Sequence, residues 1–129
     1  MTQEEKQLLL EDLCARLPYG VKVQPSGSAI PHKFNGYDNG LVRIDIDQRY
    51  ELENIKPYLR TMSSMTEEER NEATQFEISN LGPIGFNWNL LVSNSFELVN
   101  WLNAHHFDYR GLIKKGLALE APEDMYKNE

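Results

Sequence analysis

The stretch Leu41-Val42-Arg43-Ile44-Asp45-Ile46-Asp47 alternates without a break, placing Val42, Ile44 and Ile46 on one face and Leu41, Arg43, Asp45 and Asp47 on the other. A period of two with a single apolar face suits a half-buried strand. The rest of the chain must therefore supply neighbouring strands and an apolar cover for that face. Upstream, Pro25 to Ser28 and Pro31 to Gly40 are dense in Pro, Ser, Gly and Asn. Asn35-Gly36 and Asn39-Gly40 act as turn signals there because both residue types tolerate positive φ, and this region is read as turns with a hairpin.

Helices are expected on either side. Thr2 with Glu5 forms a capping box, and Leu9, Leu10, Leu13 and Leu17 recur at helical spacing until Pro18 and Gly20 stop the pattern. Tyr19 to Gln24 then alternates as a short strand. Ile55 to Arg60 reads as a single helical turn with Pro57 in its first position. Thr66 with Glu69 forms a second capping box, opening an acidic helix from 67 to 77. Phe86, Trp88 and Leu90 alternate within a Gly- and Asn-rich segment and suggest another strand. Asn94 with Glu97 starts a helix over 95–106, and a last short helix is expected over 109–115, closed by Gly116. The expected fold is α+β: one domain over 1–119, about four helices, a small and mainly antiparallel sheet, and a frayed tail over 120–129.

The chain's 129 residues, 40% of them hydrophobic, suffice for one core and are too few for two ordinary domains. Thirteen basic against twenty acidic residues give a net charge of −7, which makes nucleic acid an unfavourable partner. Lys114 and Lys115 are too small a patch to reverse that. Thr61 to Tyr109 holds one basic residue and seven acidic ones, so most of the excess lies there. Cys14 is the only cysteine, which rules out an internal disulfide and a cysteine-rich zinc framework, and its neighbours Leu13 and Leu17 suggest a buried small hydrophobe. No secretory leader pattern opens the chain, and no apolar run approaches the roughly 18 residues that span a membrane. A soluble cytoplasmic protein is expected.

Chemistry-bearing groups are few. Gly82-Pro83-Ile84-Gly85 lacks the phosphate-binding fingerprints, and no serine sits in a G-x-S-x-G elbow. In Asn103-Ala104-His105-His106-Phe107-Asp108-Tyr109-Arg110, His105 and Asp108 share a helical face and could meet at a metal, but two ligands are too few for a catalytic zinc. The favoured reading is a corner, with the histidines on the last turn of one helix and Asp108 capping the next. Asp45 and Asp47, about 7 Å apart on one strand face, could hold Mg²⁺ or work as acid and base, and they equally suit a solvated strand face. His32 would join them only if the fold brought it there. No catalytic residue and no cofactor is assigned; Asp45, Asp47, His105 and Asp108 stand as metal-site candidates. Aromatics in turn-rich segments, Phe34, Tyr37, Phe86 and Trp88, together with acidic Glu67, Glu68 and Glu69, are the candidate partner-binding residues.

The segments DLCARLPYGV (12–21), IKPYLR (55–60), MSSMT (62–66), Trp101-Leu102, HHFDYRGLI (105–113) and KGLALEAP (115–122) carry a resemblance. With them the chain resembles a group of small uncharacterised proteins of gut anaerobic bacteria, often found in prophage or mobile-element neighbourhoods. The resemblance covers about half the chain, from end to end, which implies one complete domain. It implies no activity, cofactor or catalytic residue. The resulting expectation is a non-catalytic macromolecular-interaction or accessory module of phage or mobile-element type with a protein partner. The alternative is a small metal-dependent hydrolase using Asp45, Asp47, His105 and Asp108.

Overall fold

A computed structural model describes residues 1–45, 48–80 and 96–126. Helix α1 spans Gln3–Arg16. Its capping box forms as expected: Glu5 N–H donates to Thr2 Oγ1 at 3.1 Å and Thr2 N–H donates to the Glu5 carboxylate at 2.9 Å. Pro18 turns the chain into a single 3₁₀ turn, Leu17–Tyr19, and Gly20 at φ 71° ends it. Leu9 and Leu13 lie fully buried on the inner face of α1, whereas Cys14 is exposed, not buried as its neighbours suggested.

Six strands follow among the described residues: β1 (Lys22–Pro25), β2 (His32–Asp38), β3 (Leu41–Ile44), β4 (Gln48–Tyr50), β5 (Ile55–Leu59) and β6 (Leu119–Glu120). They form one sheet in the order β4-β3-β2-β1-β5-β6, antiparallel except for the parallel pair β5 and β6. The β2–β3 hairpin turns on Asn39 and Gly40, at φ 52° and 77°, the positive pair that a two-residue turn matched to sheet twist demands. Asn35-Gly36 is not a turn. It lies within β2, where the register slips between Phe34 and Gly36, so Asn35 is the extra residue of a β-bulge. Strand β3 ends at Ile44, because Asp45 takes φ 51°; Ile46 and Asp47 lie outside the described residues.

Residues 55–59 are a strand and not the expected helical turn. Leu59 presents its carbonyl to Ala121 N–H at 2.7 Å, and Pro57, two residues back, faces the same side. Proline therefore takes no ladder bond from β1, and the buried Ile55 and Leu59 gain a place in the sheet. Helix α2 spans Glu67–Asn80 behind the expected capping box, with Glu69 N–H donating to Thr66 Oγ1 and Thr66 N–H to Glu69 Oε1. Helix α3 spans Phe96–Ala104. The expected strand around Phe86, Trp88 and Leu90 falls outside the described residues. Residues 109–115 form turns, not a helix, since Gly111 stands at φ 75°; three α-helices are found among the described residues against the four expected. The tail is docked through residue 126 and not frayed: β6 pairs with β5, and the Tyr126 hydroxyl donates to the Tyr58 carbonyl at 2.8 Å and accepts from Lys22 N–H at 3.0 Å.

Two apolar clusters result among the described residues. Leu9 and Leu13 of α1 pack with Val23, Phe34, Val42, Ile44, Ile55 and Leu59 of the sheet, and Leu112, Leu117 and Ala118 close that core. Met65, Ala73, Leu98, Leu102 and Phe107 form the second. A buried ionic network joins the segments around them. Arg16 Nε and Nη2 donate to the Asp12 carboxylate at 2.9 and 3.1 Å, both side chains being fully buried. Arg16 Nη2 also donates to the Phe107 carbonyl at 2.6 Å, and Arg110 Nη1 donates to Asp12 Oδ1 at 2.7 Å. Arg16 Nη1 is buried without a hydrogen-bond partner among the described residues, but the guanidinium carbon lies 5.4 Å from the Tyr109 ring centroid, which offers it a negative face. Removing one member of such a set strands the other charge. Asp12→Ala is therefore expected to cost about 3–5 kcal/mol, read as a lowered midpoint in chemical denaturation; a loss within about 0.5 kcal/mol would contradict the network's role.

Candidate functional site

The histidine-rich corner is built from the end of α3. Asp108 N–H donates to the Arg60 carbonyl at 2.8 Å and Arg60 N–H to the His106 carbonyl at 2.7 Å, so the corner continues the sheet beyond β5. His106 is buried at φ 64°, its ring stacked on Tyr126 at 3.7 Å between centroids. Asp108 accepts Leu112 N–H at 2.8 Å and Ile113 N–H at 3.0 Å, satisfying two turn amides where a helix start was expected. His105 faces away from it, with Nδ1 3.5 Å from Glu69 Oε2 and its ring 4.3 Å from Trp101.

Glu69 is the electrostatic centre of this corner. It binds both Arg60 Nη1 and Nη2 at 2.7 Å, while the Arg60 guanidinium lies 4.2 Å from the Phe107 ring centroid. Burial works against its ionisation, but the Arg60 fork and the Thr66 N–H outweigh that and hold its pKa down at about 2. Glu67, Glu68 and Glu72 beside it are exposed, and Glu72 accepts Trp101 Nε1–H at 3.0 Å. Thr66, Glu68, Glu69, His105, Glu123 and Tyr126 border an open cleft of about 420 Å³. Of the expected partner-binding residues, Glu67 and Glu68 face solvent, whereas Glu69 is occupied by Arg60. Tyr37 is exposed, but Phe34 is fully buried in the core, because the bulge sets its side chain on the inner face. Phe86 and Trp88 lie outside the described residues.

Among the described residues, the metal-site candidates Asp45, His105 and Asp108 do not converge. Asp45 follows β3, and β5, which carries the corner, is three strand spacings away, about 14 Å. Asp108 spends its carboxylate on backbone amides, His105 sits against Glu69, and Asp47 lies outside the described residues. Among the described residues, no group of three or more His, Cys, Asp or Glu side chains is placed to hold a metal ion.

Asp45 has a different partner. Its carboxylate lies 2.5 Å from His32 Nδ1, and on the far side of the same ring His32 Nε2 lies 3.3 Å from Ser28 Oγ. The hairpin register makes this meeting: after the Asn35 bulge, Phe34 pairs with Ile44 and Asp45 N–H donates to the Lys33 carbonyl at 3.1 Å. Asn35 Nδ2 donates to the Asp45 carbonyl, so the bulge residue also clamps the backbone of the aspartate. Sequence reasoning left Ser28 aside and His32 unplaced. The available signal was the Asn39-Gly40 turn: counting the hairpin outward from it, with one bulge, sets residue 45 beside residues 32 and 33.

Comparison with protein-family models, curated proteins and solved structures finds no match for this chain. Among the described residues no helix is long and apolar enough to cross a membrane.

The lowered pKa of Glu69 gives the corner an acid sensitivity. A folded-state pKa below the ordinary 4.5 contributes stability that is complete above that value and is lost as pH falls toward about 2. Denaturant titrations at several pH values should therefore show Glu69→Gln destabilised at pH 7, with its deficit shrinking below about pH 4.5; a deficit that stays constant with pH would refute the charged Glu69–Arg60 pairing.

Proposed function

We propose that the chain is a single-domain macromolecular-interaction or accessory module of phage or mobile-element type that engages a basic protein partner through the acidic cleft at the start of α2. The observation that carries this reading is the charge arrangement there. Arg60, which lines the cleft, is neutralised internally by Glu69, while Glu68 on the cleft wall and Glu67 and Glu72 on the same helix stay exposed. An excess of exposed carboxylates over the exposed Arg70, beside an open cleft of about 420 Å³, favours encounter with the opposite sign and selects against acidic surfaces. The phage or mobile-element context rests on the resemblance of the sequence. A cytoplasmic location accords with the single cysteine, which suits a reducing compartment.

The test uses Glu67→Lys/Glu68→Lys and leaves Glu69 intact, since altering it would break the Arg60 pair. Fluorescence anisotropy with a labelled lysine-rich peptide at low ionic strength is expected to show binding that weakens as salt rises and is roughly tenfold weaker for the double variant. Equal binding by the two proteins, with unchanged melting temperatures, would remove the acidic cleft as the interface.

A further inference from the structure

We propose that Ser28, His32 and Asp45 form a nucleophile–base–orienter relay that hydrolyses short-chain O-acyl esters of polar alcohols, at a site separate from the acidic cleft. The order of contacts fixes the protonation pattern. In the neutral imidazole, the Asp45 carboxylate 2.5 Å from Nδ1 selects the Nδ1–H tautomer and leaves Nε2 as the acceptor facing Ser28. Ser28 Oγ accepts Ile30 N–H at 3.3 Å, so its own O–H is left to donate to Nε2 at 3.3 Å. Each member is held by the backbone. His32 opens β2 opposite Val23 of β1, Asp45 is pinned by Lys33 and Asn35, and Ser28 follows Gly27, whose φ of 84° makes the tight turn. Nucleophile, base and orienting acid in mutual reach, recognised by geometry and not by sequence order, are the requirement for acyl transfer.

The surroundings point to the substrate class. Ser28 lines an open groove of about 480 Å³ whose other walls include Gln24, Glu53, Asn54 and Lys56 beside Pro25 and Leu119, a mixed lining whose polar side chains suit a hydroxyl-bearing leaving group. Among the described residues the N–H groups of Gly27 and Ala29, on either side of Ser28, donate to no protein acceptor, which leaves two donors beside the nucleophile for a developing oxyanion. In the first half-reaction Ser28 Oγ bonds to the acyl carbon as its proton passes to His32 Nε2; the carbon–oxygen bond to the alcohol breaks and His32 returns the proton to the departing oxygen. Water then repeats the sequence on the acyl-serine, releasing the carboxylic acid and restoring Ser28. Asp45 stabilises the transient imidazolium in both halves.

The experiment is active-site labelling of the whole chain with a fluorophosphonate, read by intact mass and peptide mapping, alongside hydrolysis of p-nitrophenyl acetate. One label per chain on Ser28 is expected, with labelling and hydrolysis abolished in Ser28→Ala and slowed on the order of 10²-fold or more in His32→Gln. Asp45→Asn, which tolerates the left-handed backbone, should also slow both. Circular dichroism and melting temperature confirm that each variant is folded. Absence of label on the folded wild-type chain, or labelling and hydrolysis indifferent to His32→Gln, would overturn the relay.

Discussion

The Asp12–Arg16 pair is the constraint on which the rest of the structure depends. Two full charges buried within α1 would be costly in isolation, and their geometry shows what offsets the cost: Arg16 reaches a backbone carbonyl 91 residues away at Phe107, and Asp12 takes a second guanidinium from Arg110. Within α1 the two residues satisfy only each other, and their further bonds, to the Phe107 carbonyl and the Arg110 guanidinium, form only when the chain after α3 returns to α1. The pair therefore specifies one docking of the corner, where an apolar face would accept several. Leu9 and Leu13 provide burial beside it, but hydrophobic contact is non-directional and cannot select which carbonyl lies opposite.

With the corner placed, its other contacts follow. Arg60 and Asp108 exchange backbone bonds across it, Phe107 fills the second core cluster and receives the Arg60 guanidinium on its ring, and Glu69 closes over Arg60 from the start of α2. The acidic surface of α2 is thereby set in a fixed position beside a cleft. The opposite half of the sheet is organised by other means. There the Asn39-Gly40 turn and the Asn35 bulge set a register that brings Asp45 to His32, independently of the buried charges. A long-range ionic contact thus positions the charged cleft, and a local turn with its bulge positions the histidine and aspartate.

How much of this was legible in the sequence depended on whether the signal was local. The capping boxes at Thr2 and Thr66 and the alternation through Ile44 translate directly into structure, because each signal is local, whereas of the expected α1 stripe Leu9 and Leu13 are buried, Leu10 is half-buried and Leu17 lies beyond the helix and is exposed. Ile55 to Leu59 misled because Pro57 favours a helix start equally well, and only a long-range pairing with β1 decides for strand. Asn35-Gly36 has the composition of a turn and becomes a bulge because the stronger turn four residues on takes the hairpin. Asp12 and Arg16 look like an ordinary surface i,i+4 pair; nothing in their spacing reveals that Phe107 and Arg110 will enclose them. The candidate site residues divide in the same way. His105 and Asp108 were readable as a corner, whereas Asp45 meets His32 only through sheet register and Ser28 reaches the same ring from the turn at Gly27.

The measurement closest to the centre of this account is native-state hydrogen exchange on Arg16→Met, which keeps an apolar stem and removes the guanidinium. If Arg16 holds the corner, the amides of Arg60, Asp108 and Leu112 lose protection while those of Phe34 and Asp45 in the hairpin keep theirs. Unchanged protection at the corner, or a uniform loss across both regions, would contradict the claim that the buried pair specifies where the corner docks.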